Sequence, residues 1–225
     1  MLKPSRKILR KEIKNDPFLE TFEKIEHGIQ DNKKSVINVL IFFVAVIFIG
    51  LIYINNQNEI KLESSSAFGA ALDAYSNLDF DNAKFQFESI SSNYEGTKSE
   101  IFSNYYLGRI AYELGDFDKA KLLLNDFLDN TENPTFVCGA IKQLVDIFSN
   151  ENDFLKCLDV ISKANEFDIN NVSRLELKLL KINTLIKMND LRGAKTEVEN
   201  ILNSKNLPSY INQKINEYEG SLYIL

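Results

Sequence analysis

The sequence predicts an all-α protein: a single N-terminal transmembrane helix, an α-solenoid of about four helical hairpins, and a C-terminal capping helix. Three observations carry this. Residues 36–54 read VINVLIFFVAVIFIGLIYI, 19 positions without a charge. Four strings, Asp79-Phe80-Asp81-Asn82-Ala83, Asp116-Phe117-Asp118-Lys119-Ala120, Asp153-Phe154-Leu155-Lys156-Cys157 and Asp190-Leu191-Arg192-Gly193-Ala194, each begin 37 residues after the last. That period suits stacked two-helix units. No segment alternates with the period of two that a half-buried strand requires.

The first 35 residues are a basic tail. Asp16-Pro17 has the form of a helix start, Asp as N-cap and Pro at the first helical position. Phe18, Phe22, Ile25 and Ile29 then recur at three- and four-residue steps, with Leu19 beside them, while Glu20, Glu23, Lys24 and Glu26 fill the other faces. This predicts an amphipathic helix just before the membrane, either resting in the headgroups or docking on a membrane partner. His27 is read as solvated.

The apolar run, as a helix, spans about 28 Å, close to the roughly 30 Å of bilayer hydrocarbon. A cleaved signal peptide needs a short basic start and a small-x-small site. Here 35 residues precede the run and Asn55, Asn56, Gln57 and Asn58 follow it. Nine Lys and Arg lie before the run, with Lys33 and Lys34 at its edge, against Lys61 alone close behind it. The bias predicts a cytoplasmic N-terminus and a translocated C-terminal part. That part carries 17 basic and 26 acidic residues, net −9. Residues 55–63 read as a linker and 64–225 as the repeat domain.

One unit shows the physics. Residues 104–114 form a first helix with apolar residues at helical steps. Gly115 can end it in the left-handed conformation, and Asp116 caps the next helix. Phe117 packs at its start, Ala120 permits close approach, and Leu124 and Phe127 extend the buried stripe. Pro134 falls near the following helix start. Gly115, Asn152 and Asn189 all tolerate the left-handed region before the capping Asp; Leu78 breaks this rule. Pro208 to Tyr218 reads as the capping helix that a solenoid needs at its end.

Leu107-Gly108, Ala111-Tyr112, Gly115-Asp116, Phe117 and Ala120 resemble the tetratricopeptide repeat. The first unit matches through Ala70-Ala71, Ala74-Tyr75, Phe80, Ala83 and Phe87. The third and fourth are degenerate: Val145 and Ile182 stand where a small residue is usual, and Lys181 where Leu is usual. The 37-residue spacing exceeds the family's 34, which places three extra residues in turns such as Tyr94-Glu95-Gly96-Thr97. The repeats cover roughly Ser64 to Asn206. A charged tail, one anchor and an outer tetratricopeptide array together are similar to the ancillary SecYEG translocon subunit family. That resemblance implies a bacterial inner-membrane protein with periplasmic repeats that contacts the translocon and periplasmic chaperones.

Stacked hairpins curve, and their first helices line a concave surface suited to a peptide or a helix. Repeat phase places Phe68, Leu72, Tyr75, Phe102, Tyr105, Arg109, Tyr112, Lys142, Asp146, Asn183 and Ile186 on that surface. Burial in the core is the competing reading for the aromatic members. Some tetratricopeptide proteins clamp a C-terminal carboxylate with paired Lys and Asn; no copy of that set is evident here.

The composition narrows the chemistry. The whole chain of 225 residues has Lys+Arg 26 against Asp+Glu 32, net −6, so nucleic acid is not an expected partner. One His and two Cys exclude His-pair metal motifs and a thiolate zinc site, and no metal or cofactor is expected. Cys138 and Cys157 read as buried thiols too far apart to bridge. There is no GxGxxG, phosphate loop, GxSxG or HExxH, and Asp79, Asp116, Asp153 and Asp190 recur as caps. The expectation is a non-enzymatic, membrane-anchored protein-interaction module serving the Sec translocon, its chaperones and clients, with no small-molecule substrate. The alternative is a structural scaffold for another cell-envelope assembly, and an anchored enzyme ranks last.

Overall fold

The computed structural model describes residues 32–204 and 207–224. The amphipathic helix expected over residues 16–29 lies outside them. Nine helices are described: α1 (Lys33–Ser76), α2 (Phe80–Asn93), α3 (Lys98–Glu113), α4 (Phe117–Asn130), α5 (Val137–Asn150), α6 (Phe154–Lys163), α7 (Asn171–Lys187), α8 (Leu191–Leu202) and α9 (Ser209–Ile224), with a 3-10 turn at Ala164–Glu166. Among the described residues there is no strand.

The chain divides into two compact units, Met1–Glu59 and Ile60–Leu225. The described part of the first is the start of α1. Its large apolar side chains from Ile37 to Ile54 are exposed, and it is long and apolar enough to cross a membrane, with 0% of its apolar window buried. A core helix of that composition would be covered by other elements. Residues 55–63, expected as a linker, are helical and part of α1.

The second unit is built from hairpins α1/α2, α3/α4, α5/α6 and α7/α8, with α9 packed on the last. The four repeated aspartates occupy one corner of successive hairpins. Asp79, Asp116, Asp153 and Asp190 each N-cap the second helix, accepting from the backbone N–H of Asn82, Lys119, Lys156 and Gly193. Their dihedrals are nearly superimposable: φ −81, −83, −88 and −86. The same residues close the preceding helix. Their backbone N–H groups donate to Ala74, Ala111, Phe148 and Leu185 carbonyls, five residues back. The residue before each donates three back, to Tyr75, Tyr112, Ser149 and Ile186. This is the Schellman closure, with its left-handed residue filled by Leu78, Gly115, Asn152 and Asn189 at φ 61, 78, 61 and 61. A single Asp therefore ends one helix and starts the next, which is why it recurs.

Leu78 adopts the left-handed conformation despite its Cβ, and it is 73% exposed. The closure's two hydrogen bonds and the α2 cap impose it. A left-handed L-residue costs roughly 1–2 kcal/mol, and glycine gives back part of the gain as chain entropy. Leu78→Gly is expected to stabilise the domain by roughly 0.5–1 kcal/mol in urea unfolding.

The 37-residue phase also orders the core. Ala71, Gly108, Val145 and Ile182 are buried in the first helices, and Ala83, Ala120, Cys157 and Ala194, each 0% exposed, in the second. Ile90, Phe127, Ala164 and Ile201 form a further buried column. Val145 and Ile182 are accommodated where a small residue was expected. Cys138 and Cys157 are buried free thiols. The first exposed face of the stack is small and polar: Gly69, Ala70 and Asp73 are exposed, where the matching Tyr106, Leu107 and Ile110 of α3 are buried. At the other end Ile211 and Ile215 of α9 are 0% exposed, so α9 closes the last hairpin as the capping-helix reading requires.

Boundaries differ in two places. The first helix of the second unit starts at Lys98, six residues before the expected Asn104, because Thr97 caps it by accepting from Glu100 N–H. Pro134 sits in the preceding turn, and α5 begins only at Val137, without a side-chain cap.

Candidate functional site

The residues that repeat phase assigns to a concave face lie on the first helices of successive hairpins, α1, α3, α5 and α7, and several of them face inward. Phe68 of α1 is half-buried, its ring 5.7 Å from Phe87, 6.1 Å from Phe102 and 5.9 Å from Tyr106. Leu72 packs beside it on the same core. Phe102 meets Phe136 edge-on at 5.5 Å. Tyr105 belongs to the core: it is 4% exposed and stacks on Phe136 at 4.7 Å. Gly139 makes room for it, since a Cβ there would fall 2.6 Å from the Tyr105 hydroxyl.

Arg109 lies at the surface of this cluster. Its guanidinium is 5.4 Å from the Tyr75 ring centroid and 5.7 Å from that of Tyr105. Burial raises the pKa of Tyr75 and Tyr105, with the Arg109 charge opposing. Both phenols therefore stay neutral and present ring faces to the cation, each contact worth roughly 1 kcal/mol.

Beyond Arg109 the face is polar and internally bridged. Tyr112 donates to Asp146 at 2.5 Å, joining α3 to α5. Lys142 donates to Glu176 at 2.6 Å and Tyr210 to the same carboxylate at 2.9 Å, joining α5, α7 and α9. The Lys142 hydrogen bond holds the Glu176 carboxyl below its usual range. Lys187 donates to Ser149 at 2.5 Å. Asn183 is half-buried, and Ile186 packs partly on the second core cluster. A cleft of ≈ 450 Å³ opens beside Phe102, lined also by Lys98, Ile101, Asn133 and Pro134.

Tyr112 supplies a pH test. The hydrogen bond to Asp146 pushes its phenol from 10.0 up to about 12. The folded-state value lies above the unfolded one, so this contribution to stability is complete below about pH 10 and is lost as pH rises towards 12. Tyr112→Phe is expected to remove the last-titrating phenol from an ultraviolet pH titration and to flatten the alkaline fall in stability.

Among the described residues, no group of three or more His, Cys, Asp or Glu is arranged to hold a metal. The face offers stacked rings, a guanidinium held over two of them and paired polar groups, which is the chemistry of recognition. A family model for the tetratricopeptide repeat-like domain matches residues 29–205. The chain belongs to that family. No curated protein matches it closely enough to count as a relative. The tetratricopeptide repeat-like domain makes the second unit a protein–protein interaction module, and it accounts for the hairpin register.

Three members of the site were missed in the sequence. Glu176 and Tyr210 follow Lys142 at steps of 34, one helical turn short of the repeat, and that spacing would have found them. Phe136 carries no such signal, because it stands in a turn outside the repeated strings.

Proposed function

We infer that the protein is a membrane-anchored, non-enzymatic adaptor whose helical repeats hold other proteins outside the cytoplasmic membrane, as an accessory of the Sec translocon that meets periplasmic chaperones or clients. The observation that carries the adaptor reading is the strict hairpin register, which brings Tyr75, Arg109 and Tyr112 to one face; Tyr and Arg are favoured interface anchors. The layout supports the translocon reading: a tail rich in Lys and Arg, one uncharged run of 19 residues, and an acidic C-terminal part of net −9 behind it. The run serves as the anchor, with the N-terminus cytoplasmic.

One observation favours a second reading, a fixed scaffold for another envelope assembly. The Tyr112–Asp146, Lys142–Glu176 and Lys187–Ser149 bridges already engage much of the face's polar groups, which leaves less of it for exchanging clients. Cross-linking in intact membranes separates the two. Recovery with the translocon channel supports the accessory; consistent absence of the channel with recovery of one other assembly supports the scaffold. Protease added to the cytoplasmic side should leave the repeat domain intact, and digestion from that side alone overturns the topology.

A further inference from the structure

The seam between the third and fourth hairpins is built unlike the others. In α5, Val137, Ile141 and Leu144 are each 0% exposed against the preceding hairpin. One repeat of 37 later the same three positions of α7 are Arg174, Lys178 and Lys181, all only half-buried. At this point α6 is 10 residues long, where α2 and α4 are 14, and its chain continues as the 3-10 turn Ala164–Glu166. The shortened helix leaves a cleft of ≈ 360 Å³ between α6, α7 and α8. Its floor is apolar, made by Leu158, Ile161, Ile169 and Leu177. The buried core also divides here, into one cluster reaching Leu177 from α1 and another confined mostly to α7–α9.

The three cations on the rim are not equivalent. Lys181 is held by Glu197 at 2.6 Å. Among the described residues no carboxylate pairs with Arg174 or Lys178, and these two lie side by side on one helix at the mouth of the cleft. Two unpaired cations one helical turn apart, about 6 Å along the axis, face an apolar floor in a domain that is otherwise acidic. At physiological salt the screening length is about 8 Å, so the local cations, not the net charge of the domain, set the potential inside the cleft.

We propose that this cleft binds an acidic segment of a partner protein, its carboxylates on Arg174 and Lys178 and a neighbouring apolar side chain on the floor. Alternate carboxylates of an extended peptide stand about 6.6 Å apart, which matches the cation spacing. The volume lies within the range of ligand sites, which starts at roughly 300 Å³. A bare anion would make no use of the apolar floor. The proposal rests on the reading of the domain as a protein-binding module and adds the chemistry of one partner segment.

The test uses the full-length protein in detergent micelles and a fluorescein-labelled peptide of alternating Asp and Leu, read by anisotropy. Binding is expected to weaken by about tenfold or more when Arg174→Gln and Lys178→Gln are combined, to survive in Arg174→Lys with Lys178→Arg, and to fall as salt rises. Arg192→Gln, the loss of a positive charge elsewhere in the domain, should leave it unchanged. Equal binding of a peptide of alternating Asn and Leu, no binding of the acidic peptide, equal loss in Arg192→Gln, or inorganic phosphate held as tightly as the peptide would each overturn the proposal. Urea midpoints of the variants separate lost binding from lost folding. The titration needs no cellular partner, so its failure and a failure to recover the translocon are distinguishable.

Discussion

Phe87→Ala is expected to cost roughly 3–5 kcal/mol of the repeat domain's stability, the range for a fully buried aromatic residue cut to Ala. Phe87 is 0% exposed. Its ring stacks on Tyr106 at 5.2 Å and 10° and leans on Phe68 at 5.7 Å, so it joins the first hairpin to the second. The cavity left behind would be walled by rings, which have two side-chain torsions each and little freedom to collapse into it. Part of the loss is the transfer term for a phenyl group, about 1.5–3 kcal/mol, and the cavity adds the rest. A solenoid is held by contacts between neighbouring repeats, so the damage should be local. Hydrogen exchange should quicken in α2 and α3 and leave α8 and α9 protected. A loss under about 1 kcal/mol, or an equal loss of protection in every helix, would contradict the packing described for this seam.

The repeat register was legible because one residue, the capping Asp, has to satisfy two helix ends at once. That double duty tolerates few substitutes, and it marked all four hairpins even where the rest of the motif had decayed. Leu78 shows the limit of such reasoning. Read by local preference it argues against a left-handed turn, yet the closure around it holds it at φ 61, so the hydrogen bonds that end one helix and start the next override the preference of one side chain. The candidate site was half legible. Helical phase put Tyr105 and Arg109 on the same side of α3, but whether a ring turns inward depends on what the next hairpin supplies, and Phe136 comes from an irregular turn. The third and fourth units were read as degenerate, with Lys181 out of place. The structure gives that departure a location, the cleft where α6 is cut short, which no periodicity in the sequence could reveal because the shortening is a failure of the period.

Gly108→Val is expected to destabilise the second hairpin by roughly 1–3 kcal/mol, as overpacking does in a filled core. A Cβ on Gly108 would fall 2.8 Å from Leu124 Cγ and 2.9 Å from its Cδ2, with Leu123 Cβ at 3.4 Å. Intrinsic helix propensity works the other way, since Gly is the poorer helix former by a few tenths of a kcal/mol against Val. The contact should win because Leu124 is itself 0% exposed and the clash reaches its branch point rather than a free end. Val is chosen over Ala because Ala would bring nearly 1 kcal/mol of propensity and only one methyl group, which brings the two effects close to cancelling. The matching positions 71, 145 and 182 carry Ala, Val and Ile, so the intolerance belongs to this pair of helices and not to the repeat as such. Leu124→Ala alone should cost roughly 2–5 kcal/mol. Combined with Gly108→Val it should cost less than the sum by about 1 kcal/mol or more, since the new methyl groups occupy the space the leucine vacates. Strict additivity in that cycle would mean that α3 and α4 are not held together at Gly108, and that their spacing is set elsewhere in the hairpin.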